Sequence, residues 1–261
     1  MIVSLKEHFA TEKRDLDYCM KNFSNHERGA DVLIRKLKLD KSMKLLEIGA
    51  AQGSLLIALS KRGYDCEGIE PVDLALETAK ELSTEMRQPI KINKGFVEEI
   101  PYEDAYFNVV IAESVMEHVI DIRKAFKEIS RVLKPGGIFY FTSASAMCPK
   151  QAEIQYFPFF PWYPRRAKLW IMNWAKINKP SLVGWTDTPA INWFTPWGAK
   201  RLLADAGLQL QYDNWDLVDE SQVQVGAKRL ALKIIKLNKL TKLIGDVLYP
   251  ICEYLAIRNS L

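Results

Sequence analysis

The sequence predicts a doubly wound α/β fold built around a mostly parallel sheet. Short apolar runs typical of buried strands occur at 43–49, 64–70, 89–95, 107–114 and 137–145, and segments with helical periodicity alternate with most of them. Strands that alternate with helices at this spacing favour right-handed β-α-β units and therefore a parallel sheet. The 261 residues, 48% of them hydrophobic, suffice for one large domain with an elaboration or for two modest domains.

Helices and two further strands complete the predicted architecture of seven strands. Thr195 as N-cap, Pro196 at the first helical position and Gly207 just past the end mark one helix clearly. Helices are predicted at 54–63, 72–83, 121–133 and 195–208, two more within 5–39 with a break near 22–25, a sixth strand at 208–218, and a last, antiparallel strand at 253–259.

The alternation of strands and helices stops after residue 145 and resumes at 195, which divides the chain into four parts. We predict an N-terminal helical cap at 1–41, a nucleotide-binding core at 42–145, an aromatic- and proline-rich lid insert at 146–194, and a C-terminal completion of the core with a basic amphipathic helix at 195–261.

Composition and charge exclude several classes of protein. With 36 basic and 32 acidic residues the chain has only a small positive excess, so no nucleic-acid partner is expected. Three histidines and four widely separated cysteines argue against a zinc site, and we predict no metal. The first residues lack the apolar segment of a secretory signal, and no run is long enough to span a bilayer. We therefore expect a cytoplasmic location, with contact at the inner face of a membrane left open.

A glycine-containing loop follows the first predicted strand. The frame G-x-G-x-x-G fails at two of its three positions, whereas the frame E/D-x-G-x-G-x-G fits Glu47, Gly49 and Gly53, with Ala51 in place of the middle glycine. Glu70 ends the second predicted strand, 17 residues past Gly53. A carboxylate there accepts hydrogen bonds from both hydroxyls of a ribose in nucleoside-binding folds of this type.

Four stretches together resemble the class I S-adenosylmethionine-dependent methyltransferases, in particular the subgroup with the type 11 methyltransferase domain, which have a Rossmann-like fold. The resemblance covers roughly residues 43–145, with weaker support from 195–216. The stretches that carry it, in the order and spacing of the family, are LLEIGAAQG (45–53), GIEP (68–71), GFVEEIPYEDAYFNVVIAESVMEHVID (95–121) and FKEISRVLKPGGIFYFTSAS (126–145).

The resemblance implies S-adenosylmethionine as cofactor and S-adenosylhomocysteine as product. It places Glu47 and the loop through Gly49, Ala51 and Gly53 beside the methionine part of the cofactor, and Glu70 on the ribose. The other implied cofactor contacts are Pro71, Phe96 and Val97 at the adenine and Glu113 near the sulfonium, and His118 is the candidate catalytic base.

Other interpretations of these residues stay open. Ala51, Phe96 and Asn108 depart from the usual family pattern, which is compatible with a non-catalytic binding or scaffold protein that has kept the fold. Glu47 is equally suited to capping local backbone N–H groups, and Glu70 to being a solvated acid at a strand end. His118 also suits a packing or helix-capping role.

The predicted insert holds an unusual density of aromatic side chains. Six of the seven tryptophans lie between Trp162 and Trp197, and prolines at 158, 161 and 164 exclude regular helix around Trp162 and Tyr163. Arg165 follows directly, and we predict that Trp162, Tyr163 and Arg165 bind the substrate. Aromatic rings beside arginine suit an apolar acceptor with a polar end or a membrane interface, whereas the alternative is a private core for the insert.

The tail at 227–249 is predicted as a basic amphipathic helix. Its basic stripe is Arg229, Lys233, Lys236 and Lys239, and its apolar positions are Leu230, Ile234, Leu237, Ile244 and Leu248. This pattern is typical both of a helix that lies on an anionic membrane and of one that packs its apolar face on the core.

Together these features predict a methyltransferase that acts on a small, hydrophobic acceptor such as a lipid, a quinone or an isoprenoid-like molecule. A polar acceptor, such as a sugar or a natural-product intermediate, and the non-catalytic scaffold are the alternatives. The sequence does not define the oligomeric state.

Overall fold

A computed structural model describes residues 16–151, 154–183, 190–218, 223 and 226–260. Its sheet has seven strands in the order β3-β2-β1-β4-β5-β7-β6, with β7 antiparallel to both neighbours and the first five strands in the order parallel. The predicted fold class is confirmed. The strands are β1 (Lys44–Ile48), β2 (Asp65–Glu70), β3 (Lys91–Lys94), β4 (Phe107–Glu113), β5 (Leu133–Ala144), β6 (Leu208–Tyr212) and β7 (Ile251–Arg258).

Helices cover both faces of this sheet and give it two separate apolar layers. The described α-helices are α1 (Leu16–Leu37), α2 (Ser54–Lys61), α3 (Asp73–Glu85), α4 (Ile122–Val132), α5 (Arg165–Asn178), α6 (Pro196–Asp205), α7 (Asn214–Leu217), α8 (Ala227–Ile235) and α9 (Lys239–Leu248). One layer joins α1, α2 and α3 to the sheet through residues such as Tyr140, and the other joins α4 and α6 through residues such as Phe139. Because successive strand residues face opposite sides, Phe139 and Tyr140 belong to different layers.

Local signals in the sequence account for several element boundaries. Asp121 caps α4, since its carboxylate accepts a hydrogen bond from the backbone N–H of Lys124 at 3.0 Å. Thr195 caps α6 as predicted, through a 3.0 Å bond from the N–H of Gly198. Gly207 adopts a φ of +77° just after α6, where the chain turns into β6.

The predicted break near residues 22–25 is wrong, because α1 continues through it. Cys19, Phe23 and Leu33 lie on one buried face of the helix, and their packing outweighs the weak helix propensity of the asparagines in this segment. Asn22 donates its side-chain amide to the carbonyl of Tyr18 and stays on the outside. The first predicted helix also includes residues 5–15, which lie outside the described residues.

Three other boundaries differ from the predictions. The sixth strand ends at Tyr212 because Asp213 caps the short helix α7 with a capping box, accepting from the N–H groups of Trp215 and Asp216. The tail helix is two helices, α8 and α9, because Asn238 forms a second capping box at the start of α9. β5 begins four residues earlier than predicted, directly after α4.

The region between β5 and α6 has its own small apolar cluster. Phe160 is fully buried there against Tyr163, Trp193 and Met172, with 3₁₀ turns at Phe160–Trp162 and Pro180–Leu182 flanking α5. A private core of this kind was one of the two interpretations of the aromatic tract, and it accounts for part of the tract. The domain boundaries at 41, 145 and 194 stay predictions.

Candidate functional site

The loop after β1 is held tightly against the end of β2. The backbone N–H groups of Gly49 and Ala50 both donate to the carbonyl of Ile69, at 2.9 and 3.0 Å. Gly49 and Gly53 have φ angles of +67° and +71°, and Ala51 adopts a φ of +47° between them. Three residues in left-handed conformations turn the chain sharply into α2, so its first N–H groups face the carboxyl edge of the sheet.

Glu70 ends β2 beside this loop. Its Oε2 accepts from the N–H of Ala51 at 2.9 Å and its Oε1 from the N–H of Val72 at 3.0 Å. The side chain is only 6% exposed, and burial raises the pKa of its carboxyl. Each oxygen retains a further lone pair for a second donor. Glu70 therefore both fixes the loop and offers a two-oxygen acceptor, and the interpretation as a solvated acid at a strand end does not fit its burial.

Glu47 lies within β1, the neighbouring strand. Burial raises the pKa of its carboxyl well above the usual range, and the negative charges of Glu113 and Glu70 raise it further. One oxygen receives the backbone N–H of Leu56 in the first turn of α2, but Oε2 is buried without a hydrogen-bond partner among the described residues. A buried oxygen of this kind costs free energy until it meets a donor. Capping alone therefore leaves half of this carboxylate unsatisfied.

Glu113 ends β4, on the other side of β1. Its side chain is exposed to solvent, and desolvation by the surrounding protein is the main cause of its raised pKa. Glu253 on β7 raises that pKa further, while Lys36 on α1 lowers it. The sequence did not single out Lys36, which reaches the site from α1 and pairs with Glu253 at 2.5 Å.

The three carboxylates therefore lie at the carboxyl edge of the adjacent strands β2, β1 and β4. Ligands of open α/β sheets bind at this edge, beside the point where the strand order reverses. Raised pKa values for Glu47, Glu70 and Glu113 have one common consequence: a bound cation or hydrogen-bond donor would relieve all three. The arrangement suits a ligand that carries positive charge and hydroxyl groups.

The residues predicted to contact an adenine lie after β2 and β3. Pro71 and Phe96 are partly exposed, and Val97 is buried in the apolar layer that holds α4 and α6. The following residue, Glu98, accepts from the N–H groups of Ile120 and Asp121 and so joins this segment to the start of α4. Glu98 is a positioning residue that sequence reasoning did not single out.

The segment after β4 is buried, and a residue of the insert holds it by hydrogen bonds. His118 is 6% exposed, and neighbouring Glu117 accepts a 2.7 Å bond from the hydroxyl of Ser143 on β5. The side-chain amide of Asn192 donates to the carbonyls of Met116 and Val119. The burial of His118 fits the packing interpretation, and its role as a base stays a prediction. Asn192 carried no sequence signal, because it acts through the backbone of a distant segment.

The three predicted substrate residues lie on one stretch of the insert but differ in their surroundings. Trp162 is 62% exposed, and its indole N–H donates to the carbonyl of Ala146, just past the end of β5, at 2.8 Å. Tyr163 packs on Phe160 in the small cluster of the insert. Arg165 is exposed at the start of α5. Trp162 is thus joined to the same edge of the sheet as the carboxylates, while Tyr163 serves packing.

Part of the chain is similar to known methyltransferases. A family model described as a methyltransferase domain matches residues 46–141. The human mitochondrial ubiquinone biosynthesis O-methyltransferase is 34% identical over 131 residues, which are 49% of this chain and 33% of that protein. The demethylmenaquinone methyltransferase of Staphylococcus aureus (strain MRSA252) is 32% identical over 120 residues, 45% of this chain and 49% of that protein. The chain thus spans a third to a half of the length of these relatives.

Solved structures show the same fold over nearly the whole chain. A putative sarcosine dimethylglycine methyltransferase from Galdieria sulphuraria superposes with a TM-score of 0.58 and 16% identity, covering 95% of this chain and 92% of that one. The fold is that of the doubly wound class, and a carboxylate beside a glycine loop is the arrangement that binds nucleosides in such folds. More particularly, the match of residues 46–141 to a methyltransferase-domain model agrees with the resemblance of this stretch to the class I, S-adenosylmethionine-dependent methyltransferases.

The residues present fit that cofactor. Oε2 of Glu47, which has no hydrogen-bond partner within the described part of the chain, suits a charged donor such as an ammonium group, and Glu70 offers two oxygens to a ribose diol. Among the described residues no group of His, Cys, Asp or Glu is arranged to hold a metal ion. None of the described helices combines the length and the apolar character needed to cross a bilayer.

Proposed function

We propose that this chain transfers the methyl group of S-adenosylmethionine to a small, hydrophobic acceptor. The observation that carries the proposal is the carboxylate set at the glycine loop, and above all the buried Oε2 of Glu47, which no described residue contacts by a hydrogen bond. Burial, and then the neighbouring carboxylates, keep the pKa of Glu47 high, so its ionised form is destabilised in the free site and a cationic ligand would stabilise it.

Each residue of the site then has a definite task. Glu47 and Glu113 receive the positively charged methionine end, and Glu70 receives the ribose hydroxyls. S-adenosylmethionine, when bound, supplies an electrophilic methyl group on a sulfonium centre. The protein's contribution to such an in-line displacement is alignment and exclusion of water. If the acceptor is a hydroxyl, His118 is the proposed base that takes its proton.

A hydrophobic acceptor is supported by two observations. Trp162 presents a largely exposed ring while bonded to the segment that follows β5, at the carboxyl edge of the sheet. The names of the two relatives compared above refer to quinones, ubiquinone and demethylmenaquinone. We therefore propose a quinone or another isoprenoid-like molecule ahead of a sugar or a natural-product intermediate.

Isothermal titration calorimetry with S-adenosylmethionine and S-adenosylhomocysteine tests the cofactor site directly. We expect dissociation constants in the micromolar to millimolar range. Glu70→Gln should weaken binding about tenfold or more, because one oxygen that accepts from the ligand becomes a donor. Glu81→Gln, the same change at an exposed position of α3, is the matched control and should bind like the unaltered protein.

The competing function is a binding or scaffold protein that has lost the cofactor. Ala51 favours it, because a side chain in a left-handed conformation stands where the family has glycine. Absence of heat at millimolar S-adenosylmethionine and S-adenosylhomocysteine would overturn the enzyme and support the scaffold. A further outcome is that S-adenosylmethionine binds but no methyl group is transferred to a quinol, a sugar or an amine. That result would support the cofactor site and overturn the proposed acceptor class.

A further inference from the structure

The helix pair α8–α9 presents an apolar surface to solvent. Seven aliphatic side chains of the pair and its connection are between 37% and 73% exposed: Leu230, Ile234, Leu237, Leu240, Ile244, Val247 and Leu248. Only Leu232 among the aliphatic residues of α8 is buried. The sequence left open whether this face packs on the core, and the structure shows that it does not. Contiguous exposed apolar surface of this kind marks an interaction site.

Polar contacts fix α9 in this orientation. Asp246 accepts a 2.7 Å bond from the indole N–H of Trp215, and Lys242 reaches Asp216 at 2.6 Å and Asp213 at 3.2 Å. Gly245 lies so close to Trp215 that a Cβ there would come within 2.6 Å of the ring. The small and polar face of α9 is therefore turned inward, and residues four apart on the other face, such as Leu240, Ile244 and Leu248, point outward.

The same surface is strongly basic. Residues 226–248 contain six lysines and arginines and a single acid. That acid, Asp246, is buried against Trp215, whereas Lys228, Lys233 and Lys239 are exposed. An apolar face rimmed by lysines is what a helix needs in order to lie in the headgroup region of an anionic bilayer.

We propose that the α8–α9 pair docks this chain on the surface of an anionic phospholipid membrane. A second copy of the chain is the less suitable occupant, because a symmetric contact would bring the exposed Lys228, Lys233 and Lys239 of one copy against the same lysines of the other. An anionic bilayer offers apolar volume for the aliphatic side chains and negative charge for the lysines at the same time. The exposed side chains insert, and the lysines remain at the headgroups.

The docking surface adjoins the carboxyl edge of the sheet. α9 leads through Pro250 into β7, and the carbonyl of Pro250 accepts the N–H of Ser145 at 2.8 Å. The next residue, Ala146, accepts the indole N–H of Trp162. Given the proposed function, membrane docking would therefore hold Trp162 and the carboxyl edge of the sheet close to the bilayer, from which an apolar acceptor could arrive without crossing water.

Vesicle flotation tests the docking without cofactor or acceptor. The full chain should float with vesicles of phosphatidylcholine and phosphatidylserine and stay at the bottom with phosphatidylcholine alone, with added salt weakening the interaction. The triple variant Leu240→Ser, Ile244→Ser and Leu248→Ser should lose about a hundredfold or more in partitioning. Its melting temperature should not fall, because these side chains are exposed in the folded protein.

Charge reversal provides a matched comparison. Lys228→Glu with Lys233→Glu should lower partitioning at least about tenfold, since each lysine near an anionic surface contributes roughly fivefold. Lys80→Glu with Lys127→Glu, an equal change at exposed positions of α3 and α4, should leave it nearly unaltered.

Three outcomes would overturn the docking proposal. They are absence of flotation, flotation that survives the triple variant, and a dimer in light scattering that the triple variant abolishes while no flotation occurs. The last outcome would assign the surface to a second copy. Flotation in a chain that shows no calorimetric binding of S-adenosylmethionine would instead support docking and overturn the proposed function, so the two failures are distinguishable.

Discussion

Replacing Gly49 with alanine puts a methyl group where the loop after β1 meets the segment after β4. The added Cβ would lie 2.5 Å from Cγ2 and 3.3 Å from Cγ1 of Val115. Overpacking of this kind costs about 1–3 kcal/mol, and a φ of +67° costs an alanine about 1–2 kcal/mol more. We expect Gly49→Ala to lower the free energy of unfolding by about 2–5 kcal/mol.

The double variant with Val115→Ala separates the two costs. Removing both Cγ atoms leaves the Cβ of residue 115 as the nearest atom, at an ordinary 3.5 Å, so the steric cost disappears and the backbone cost stays. Val115→Ala alone should cost about 1 kcal/mol because its side chain is only partly buried. The two changes should therefore show a favourable coupling of about 1–3 kcal/mol.

Urea unfolding followed by tryptophan fluorescence measures all four proteins of this cycle. Two results would refute the reasoning. The first is a Gly49→Ala protein as stable as the original, which would mean that the loop yields without cost. The second is additivity within about 0.5 kcal/mol, which would mean that Val115 does not press on the loop.

Three further predictions concern charge and burial. In the folded chain the pKa of Glu47 lies above its unfolded value, so the stability linked to this group is lost as pH rises through the usual carboxyl range toward the folded pKa. Glu47→Gln should thus raise the melting temperature more at pH 8 than at pH 5. The same change should weaken S-adenosylmethionine binding about tenfold or more. An equal rise in melting temperature at both pH values would contradict the assigned pKa direction. Burial raises the pKa of Cys66 to about 12, so Ellman's reagent at pH 8 should modify this thiol only in urea. The Cys66→Ala variant identifies which part of the signal comes from this residue. Rapid labelling of Cys66 in the native protein would contradict the prediction. Arg131→Lys should lower the free energy of unfolding in urea titrations by about 2 kcal/mol. The reason is that one ammonium group cannot replace the two hydrogen bonds from the guanidinium to the carbonyls of Ile100 and Tyr102. An unchanged urea midpoint would show that these two hydrogen bonds do not stabilise the fold.

The positions of the strands and of the glycine loop were predictable because they depend on signals within short windows. Apolar runs ending in Gly49 and Glu70 identify two strands and the edge to which both lead, and the cap at Thr195 marks its helix without reference to anything distant. For the same reason the capping boxes of Asp213 and Asn238 were readable in principle. They were missed because an alternating pattern and a long basic periodicity appeared to run through them.

Contacts between distant segments were not predictable from one sequence. Lys36 meets Glu253 across 217 positions, and Asn192 bonds to the carbonyl of Met116 through its side-chain amide. The amphipathic pattern of the tail likewise shows that two faces differ but not which of them turns inward. That choice depends on Trp215, whose indole draws Asp246 inward and leaves the apolar face outside.

The antiparallel strand β7 lies between β5 and β6, although it follows both in the chain. Its partners on β5 are more than a hundred positions earlier, as in the pair Ile138 and Ile257. Such long-range pairing forms slowly, because a large loop must close before the contacts stabilise it. Until then the backbone N–H and C=O groups along one edge of β5, which includes Phe139 and Phe141, are free to pair with strands of other chains. Substitutions that delay β7 should therefore cause self-association during folding, even where the finished protein is barely destabilised.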